Sequence, residues 1–349
     1  MNPLVSRGKS ILVIFCFFLI FSFFASPSFT PTRFIAVSHA QTNALRITVV
    51  PQFPGPFETV TVDVEDFSRD LNKVDISWSV NGKIEQRGVG LKRLRLNTGA
   101  LGTVTNISIN MGGDIQSLTV RPATVDVLWQ ADTYTPPFYR GKAIHSNQDP
   151  ITVVAEPFFI NSQGVRLDPE KLIYRWTRNG KLNDLASGYG KKTFRIVPSI
   201  LMKPIDVEVE VSSVDGIFHS VSSINIPDSK TEVLLYENHP LYGIVFERAL
   251  NAKESPITNH EIRIIGVPFF FSNQQKNLGQ LVYDWKLNNA SVNQPGNEVI
   301  FRKPEGGGEG RSLVSLGIKN PERFAQSSSA SLHVQFKDEE ETPAGQNIF

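Results

Sequence analysis

Cysteine is nearly absent: the 349 residues contain one, Cys16, buried in an apolar run near the start. That excludes a disulfide framework and any thiol chemistry in the rest of the chain. Methionine is scarce as well, with three residues. Neither sign of charge dominates. Residues 1–40 hold Arg7, Lys9 and Arg33 and no acid, leaving 32 basic and 34 acidic residues on the remainder, a balance of −2. A near-neutral body offers no electrostatic footprint for nucleic acid. The histidines are His39, His145, His219, His239, His260 and His333; no pair has metal-ligand spacing, and they read as surface residues. No Asp-x-Asp-x-Asp-Gly loop, phosphate loop, nucleophile elbow or metalloprotease motif occurs. The Gly306–Gly310 run lacks the Lys-Ser/Thr a phosphate loop needs, and reads as a hairpin tip. The residues therefore imply no cofactor, no metal and no enzyme. A long helical period is missing too; only short turns are expected, after Asp168-Pro169 and over Ile200–Lys203.

Phenylalanine is abundant, at 24 residues, partly because the N-terminus is so apolar. Arg7 and Lys9 precede the run Ile11–Phe24, and Ser38-His39-Ala40 places small residues where a signal peptidase cuts, making Gln41 the first mature residue. The alternative is an uncleaved membrane anchor over residues 11–32. Either way residues 41–349 lie outside the cytoplasm. Exported yet free of cysteine, the body points to a bacterial envelope, on its surface or the periplasmic side. The membrane would be touched only through the N-terminal segment.

One stretch occurs three times: Val74-Asp75-Ile76-Ser77-Trp78-Ser79-Val80-Asn81-Gly82, Leu172-Ile173-Tyr174-Arg175-Trp176-Thr177-Arg178-Asn179-Gly180, and Leu281-Val282-Tyr283-Asp284-Trp285-Lys286-Leu287-Asn288-Asn289. Side chains two apart share a strand face, so each copy is a strand with an inward Trp. Asn-Gly and Asn-Asn accept the positive φ of a type I′ hairpin turn. An aromatic-ended strand precedes each copy: Val60–Phe67, Ile151–Phe159 and Ile262–Phe270. A strand pair follows each, with turns at Met111–Asp114, Val214–Gly216 and Asn320–Glu322. Thr124–Trp129 also matches Thr231–Tyr236, with Trp129 lying 47 residues before Trp176 and Tyr236 lying 49 before Trp285. This near-constant spacing argues for a duplicated domain. Trp78, Trp176, Trp285, Trp129 and Tyr236 are assigned to the structural core.

The Trp-x-x-Asn-Gly hairpin with its flanking strands resembles bacterial immunoglobulin-like and PKD-like extracellular modules in tandem, over about residues 44–336. The resemblance implies an all-β chain of three immunoglobulin-like sandwiches: 44–121, 122–227 and 228–336, the last a duplicate of the second. Segment 1–40 precedes them, and an acidic, disordered tail, 337–349, follows. It also implies stalks, adhesion units or parts of surface filaments and secretion assemblies, with other envelope or surface proteins as partners.

Tyr134-Thr135-Pro136-Pro137-Phe138-Tyr139-Arg140-Gly141 is the candidate partner or ligand loop, through Tyr134, Pro137, Phe138, Tyr139 and Arg140. Pro240-Leu241-Tyr242-Gly243 is a loose counterpart. The competing reading packs these aromatics against a neighbouring domain. Phe158-Phe159 and Phe269-Phe270-Phe271 are expected to be covered at domain junctions. A non-catalytic spacer and interaction scaffold follows; the alternative is a binder of cell-surface polysaccharide.

Overall fold

The structure is a computed structural model that describes residues 45–198, 204–250, 255–257, 261–302 and 310–336. The export segment, the expected turn over Ile200–Lys203, the glycine tip over 303–309 and the acidic tail lie outside the described residues.

In the first repeat the strands are β1 (Leu45–Val50), β2 (Thr59–Asp66), β3 (Asp75–Val80), β4 (Lys83–Val89), β5 (Arg93–Asn97), β6 (Thr105–Met111) and β7 (Asp114–Val120). They form two sheets, ordered β1-β2-β5 and β4-β3-β6-β7. The second repeat has β8 (Thr124–Ala131), β9 (Ile151–Phe158), β10 (Ile173–Arg178), β11 (Lys181–Leu182), β12 (Gly188–Tyr189), β13 (Thr193–Ile196), β14 (Ile205–Ser212) and β15 (His219–Ile226). Its sheets are β13-β9-β8 and β11-β10-β14-β15, with β12 also on β10. The third has β16 (Glu232–His239), β17 (Gly243–Ile244), β18 (Ser255–Ile257), β19 (Glu261–Phe269), α1 (Asn273–Asn277), β20 (Val282–Leu287), β21 (Ala290–Val292), β22 (Glu298–Arg302), β23 (Gly310–Lys319) and β24 (Ser327–Phe336). There β17-β16-β19-β22 faces β18-β24-β23-β20-β21, with β18 parallel to β24. The chain is all-β, and each repeat is an immunoglobulin-like sandwich with its own apolar core.

Alternation explains the strands. On β14, Ile205, Val207, Val209 and Val211 are buried, while Asp206 and Glu208 are exposed. The three repeated tryptophans are all core. Their indole Nε1 groups donate to a backbone carbonyl of the same sandwich: Trp78 to Leu91 O at 2.6 Å, Trp176 to Lys191 O at 2.8 Å and Trp285 to Gly296 O at 3.0 Å. The turn asparagines take positive φ, 49° at Asn81, 50° at Asn179 and 49° at Asn288. Each also braces the strand paired beside it in the sheet, β6, β14 or β23. Asn81 N donates to Asn106 O at 2.8 Å while Asn81 Oδ1 accepts from Asn106 N at 2.9 Å. Asn179 does the same with Asp206, and Asn288 with Leu313, at the same distances.

Sequence and structure part at Tyr236. Val125 lies opposite Pro157 and Val233 opposite Pro268, which puts Glu237, not Tyr236, at the register position of Trp129. A one-residue slip exchanges sheet faces. Trp129 therefore faces the second core with Val125 and Ala131, and Lys142 Nζ stands 3.6 Å over its ring. Tyr236 is buried on the opposite face of β16, outside the third core, in a cluster at the junction of the second and third sandwiches.

The surface reading of the histidines also fails at two positions. His145 is 3% exposed, enclosed by the loop and linker around it. His219 stacks on Phe53 of the first sandwich, centroids 3.7 Å apart and planes 5° from parallel, with Nε2 2.9 Å from Glu210 Oε1. His39 and His260 lie outside the described residues. The paired phenylalanines divide. Phe159 sits in the second core, and Phe158 is covered by the Arg166 guanidinium of its own sandwich, 4.5 Å from the ring, not by a neighbouring domain. Phe270 takes φ 60°, so the strand turns over there. Phe269 and Phe270 join the junction cluster, and Phe271 drops into the third core.

Candidate functional site

The loop of residues 132–150 joins β8 to β9 and crosses from the second sandwich to the third. Its ends are held at home: Ala131 N donates to Ala143 O at 3.2 Å, Asp132 N to Pro150 O at 2.8 Å, and Thr133 Oγ1 to Ile144 O at 2.8 Å. Across the boundary, Tyr134 N donates to Phe271 O at 2.7 Å and Phe270 N to Tyr134 O at 2.8 Å. This is a short antiparallel pairing between two domains, and it fixes their contact by backbone bonds.

The loop tip is a tight turn. Tyr139 N donates to Pro136 O at 3.3 Å, with Pro137 and Phe138 at the centre. Proline presets the first central position, and the second needs positive φ, which glycine or asparagine normally supplies. Here Phe138 supplies it, at φ 67°. A bulky residue held in the left-handed region costs free energy, and such outliers cluster at functional sites. Phe138 gains no burial in return: it is 88% exposed.

Tyr139 turns the other way and packs edge-on against Phe269 and Phe270, at 6.0 and 5.8 Å. Tyr134 lies below it with Lys276 Nζ 3.9 Å from its ring, and burial pushes its phenol upward from the ordinary value. The five residues expected in one loop site thus separate by role. Tyr134 belongs to the junction, Tyr139 bridges junction and surface, and Pro137, Phe138 and Arg140 face outward along a groove.

That groove has a volume of about 970 Å³. Its opposite wall is the β16–β17 hairpin and the chain beyond it, through Tyr242, Ile244 and Phe246; Leu234, Tyr236 and Phe269 line it as well. So the two segments that match loosely in sequence line one cleft. His239 organises the hairpin: Nδ1 accepts from Leu241 N at 3.2 Å and Tyr242 N at 3.4 Å, and its ring stacks on Tyr242 at 4.7 Å. Leu241 and Tyr242 are left 83% and 81% exposed. Sequence reasoning missed Tyr236 and Phe246 as members of this surface. Its one signal was the Pro240–Gly243 match.

Chemically the groove is apolar. Its charged lining residues are Arg140 and Glu247, and it contains no Ser, Thr, Cys, His, Asp, Asn or Gln. Glu247 is the one carboxylate in that lining, so no pair of carboxylates faces the groove. Planar side-chain amides that could hold sugar hydroxyls are missing from the lining too. Among the described residues no group of His, Cys, Asp and Glu could hold a metal ion, and no helix is long and apolar enough to cross a membrane.

No protein-family model matches the chain, and no curated protein matches it. Solved structures do overlap it loosely. The three N-terminal domains of the bacteriophage RB49 Highly Immunogenic Outer Capsid protein are 10% identical, with 84% of this chain and 99% of that chain covered at a TM-score of 0.24. The N-terminal four Ig domains of Dscam1 isoform 4.44 are 12% identical, covering 85% and 74% at 0.23. The fibronectin(III)-like modules of Clostridium thermocellum CbhA are 8% identical, covering 52% and 95% at 0.25. Overlaps this loose carry no argument about function, which rests on the groove itself.

Proposed function

We propose that this chain is a non-catalytic modular scaffold of a bacterial envelope or cell surface, exported by its N-terminal segment, in the manner of immunoglobulin-like and PKD-like extracellular modules. Its sandwiches set a reach, and the groove between the second and third takes an apolar, aromatic-bearing segment of a protein partner. One observation carries this reading: Phe138 and Tyr242 are exposed and line a groove whose walls come from two domains bonded through their backbones.

Burying these two large side chains yields roughly 1.5–3 kcal/mol each, before the cost of association is subtracted. A single such contact falls in the micromolar range or weaker, about −8 kcal/mol or less in magnitude. That suits a surface assembly in which many copies act together.

Polysaccharide is the second reading, favoured by the flat His239–Tyr242 stack at the rim. A photo-crosslinking residue placed at position 138 of the chain decides between them. We expect adducts with one envelope or surface protein, lost in Tyr242→Ala. Retention by purified surface polysaccharide, abolished by Tyr242→Ala and without protein adducts, would establish the sugar reading. Absence of both adducts and retention would leave a passive spacer as the best account.

A further inference from the structure

Beneath the groove the same junction contains a buried polar knot. Asp149, on the loop from the second sandwich, is 0% exposed. Its Oδ2 accepts from Nε2 of Gln326 in the third sandwich and lies 3.1 Å from Ser146 Oγ, and the Ser272 side chain reaches the same carboxyl group. Gln326 is saturated by the contact. Nε2 donates to Asn147 O at 2.7 Å, and Oε1 accepts from Asn320 Nδ2 at 2.7 Å and Ser272 N at 3.2 Å. Ser146 Oγ donates to Phe270 O at 2.6 Å, and Asn147 Nδ2 to Phe324 O at 3.0 Å. Both loop segments of the seam, 146–149 and 320–326, are tied through this one centre.

Its second oxygen is not matched. Asp149 Oδ1 has no hydrogen-bond partner among the described residues, and neither does Arg323 Nε, 3.9 Å away. A neutral carboxyl puts no anion into this buried seam. An ionised one leaves an anion whose cation stands outside hydrogen-bond reach. Relief requires the packing around the carboxyl to loosen, at the contact between the two sandwiches.

We propose that Asp149 is a protonation-controlled latch between the second and third sandwiches, closed when its carboxyl is neutral and loosened when it is ionised. The groove shares this junction, so the latch sets how firmly its walls are held. Other titratable groups around the seam are few. On the loop itself His145 is buried with Nδ1 unpartnered, facing Asp228 of the linker and Arg178 of β10. Arg323 comes from the β23–β24 connection, and from α1 Lys276 lies over Tyr134.

The sign follows from burial. Burial raises the Asp149 carboxyl to about 6, against an ordinary 3.8. Its stabilising contribution is complete below the ordinary value and is lost as pH rises through about 6. His145 acts oppositely: burial holds its imidazole below the ordinary value, so its contribution is lost on acidification.

Hydrogen exchange of segments 132–150 and 320–326, corrected for intrinsic rates, tests this on the full chain at pH 5 and pH 7.5. Protection should fall about tenfold on going to pH 7.5. Asp149→Asn, which cannot ionise, should abolish that fall. His145→Gln should keep or enlarge it, and carries the test alone should Asp149→Asn not fold. Equal protection of the wild-type chain at both pH values, or the same fall in Asp149→Asn, would overturn the latch. The measurement needs no partner, so it stands or falls apart from the groove's proposed ligand.

Discussion

The side-chain amide of Gln326 donates to the carboxylate of Asp149 across a domain boundary, 177 residues away in sequence, with both groups shut off from water. The bond joins the β23–β24 connection of one sandwich to the β8–β9 loop of another. Immunoglobulin-like modules in a string can hinge freely where few contacts cross between them. Here backbone pairing, an aromatic cluster and a buried polar knot cross together, so the second and third sandwiches meet as a jointed pair with a groove over the joint.

Removing one of the repeated tryptophans should cost one sandwich most of its stability. Trp285→Ala deletes a fully buried indole and its bond to Gly296 O, for about 3–5 kcal/mol. Trp285→Phe keeps most of the ring but leaves Gly296 O without its donor, at about 1–2 kcal/mol beyond the volume lost. Urea unfolding should show a shifted transition for the third sandwich and little change in the others.

The turn asparagines separate conformational strain from bracing. Asn179→Ala leaves at φ 50° a residue that tolerates the left-handed region less well than Asn, and loses the bond to Asp206 N, costing about 1–2 kcal/mol. Asn179→Gly removes the strain and loses only the bond, so it should be the milder change. Chemical denaturation of the two variants reads the order directly.

Gly266 marks a place where the third sandwich closes tightly. A β-carbon there would meet the Leu316 side chain at 2.0 Å. Gly266→Ala should cost about 1–3 kcal/mol through overpacking, and Gly266→Ala with Leu316→Ala should recover part of it.

Surface and junction aromatics should behave differently. Phe138→Ala and Tyr242→Ala should change stability by no more than about 0.5 kcal/mol while weakening partner capture. Phe269→Ala, within the junction cluster, should cost about 3 kcal/mol or more. Thermal unfolding alongside a binding assay tells the two classes apart.

The first junction should respond to acid in the sense opposite to Asp149. Glu210 is held below the ordinary carboxylate value, first by its hydrogen bond with His219, helped by Arg175. Its contribution is present above the ordinary 4.5 and lost as pH falls below it. Stability measured at pH 3 and pH 6 should differ less in Glu210→Gln than in the wild-type chain.

Three copies of Trp-x-x-Asn were enough to read the strands, the hairpins and the tandem sandwich architecture, because alternation and turn chemistry are local and repeat with the fold. The small helix α1 was not legible, since Asn-Gln-Gln-Lys-Asn has no apolar period. The face that Tyr236 takes was not legible either: matching residue types cannot detect a one-residue slip in register, yet that slip decides which face a side chain occupies. The candidate loop was visible by its prolines and aromatics, but not which of them would turn inward.

By itself the sequence determined the strand-forming periods, the inward tryptophans and the positive-φ turns, since each depends on residues within about ten positions of one another. Only the tertiary structure decided that Tyr139 folds onto Phe269 while Phe138 stands free, that two loops line one groove, and that Asp149 meets Gln326. Those outcomes depend on how two domains dock, and docking is set by contacts between residues over a hundred positions apart, for which a single chain of letters carries no period.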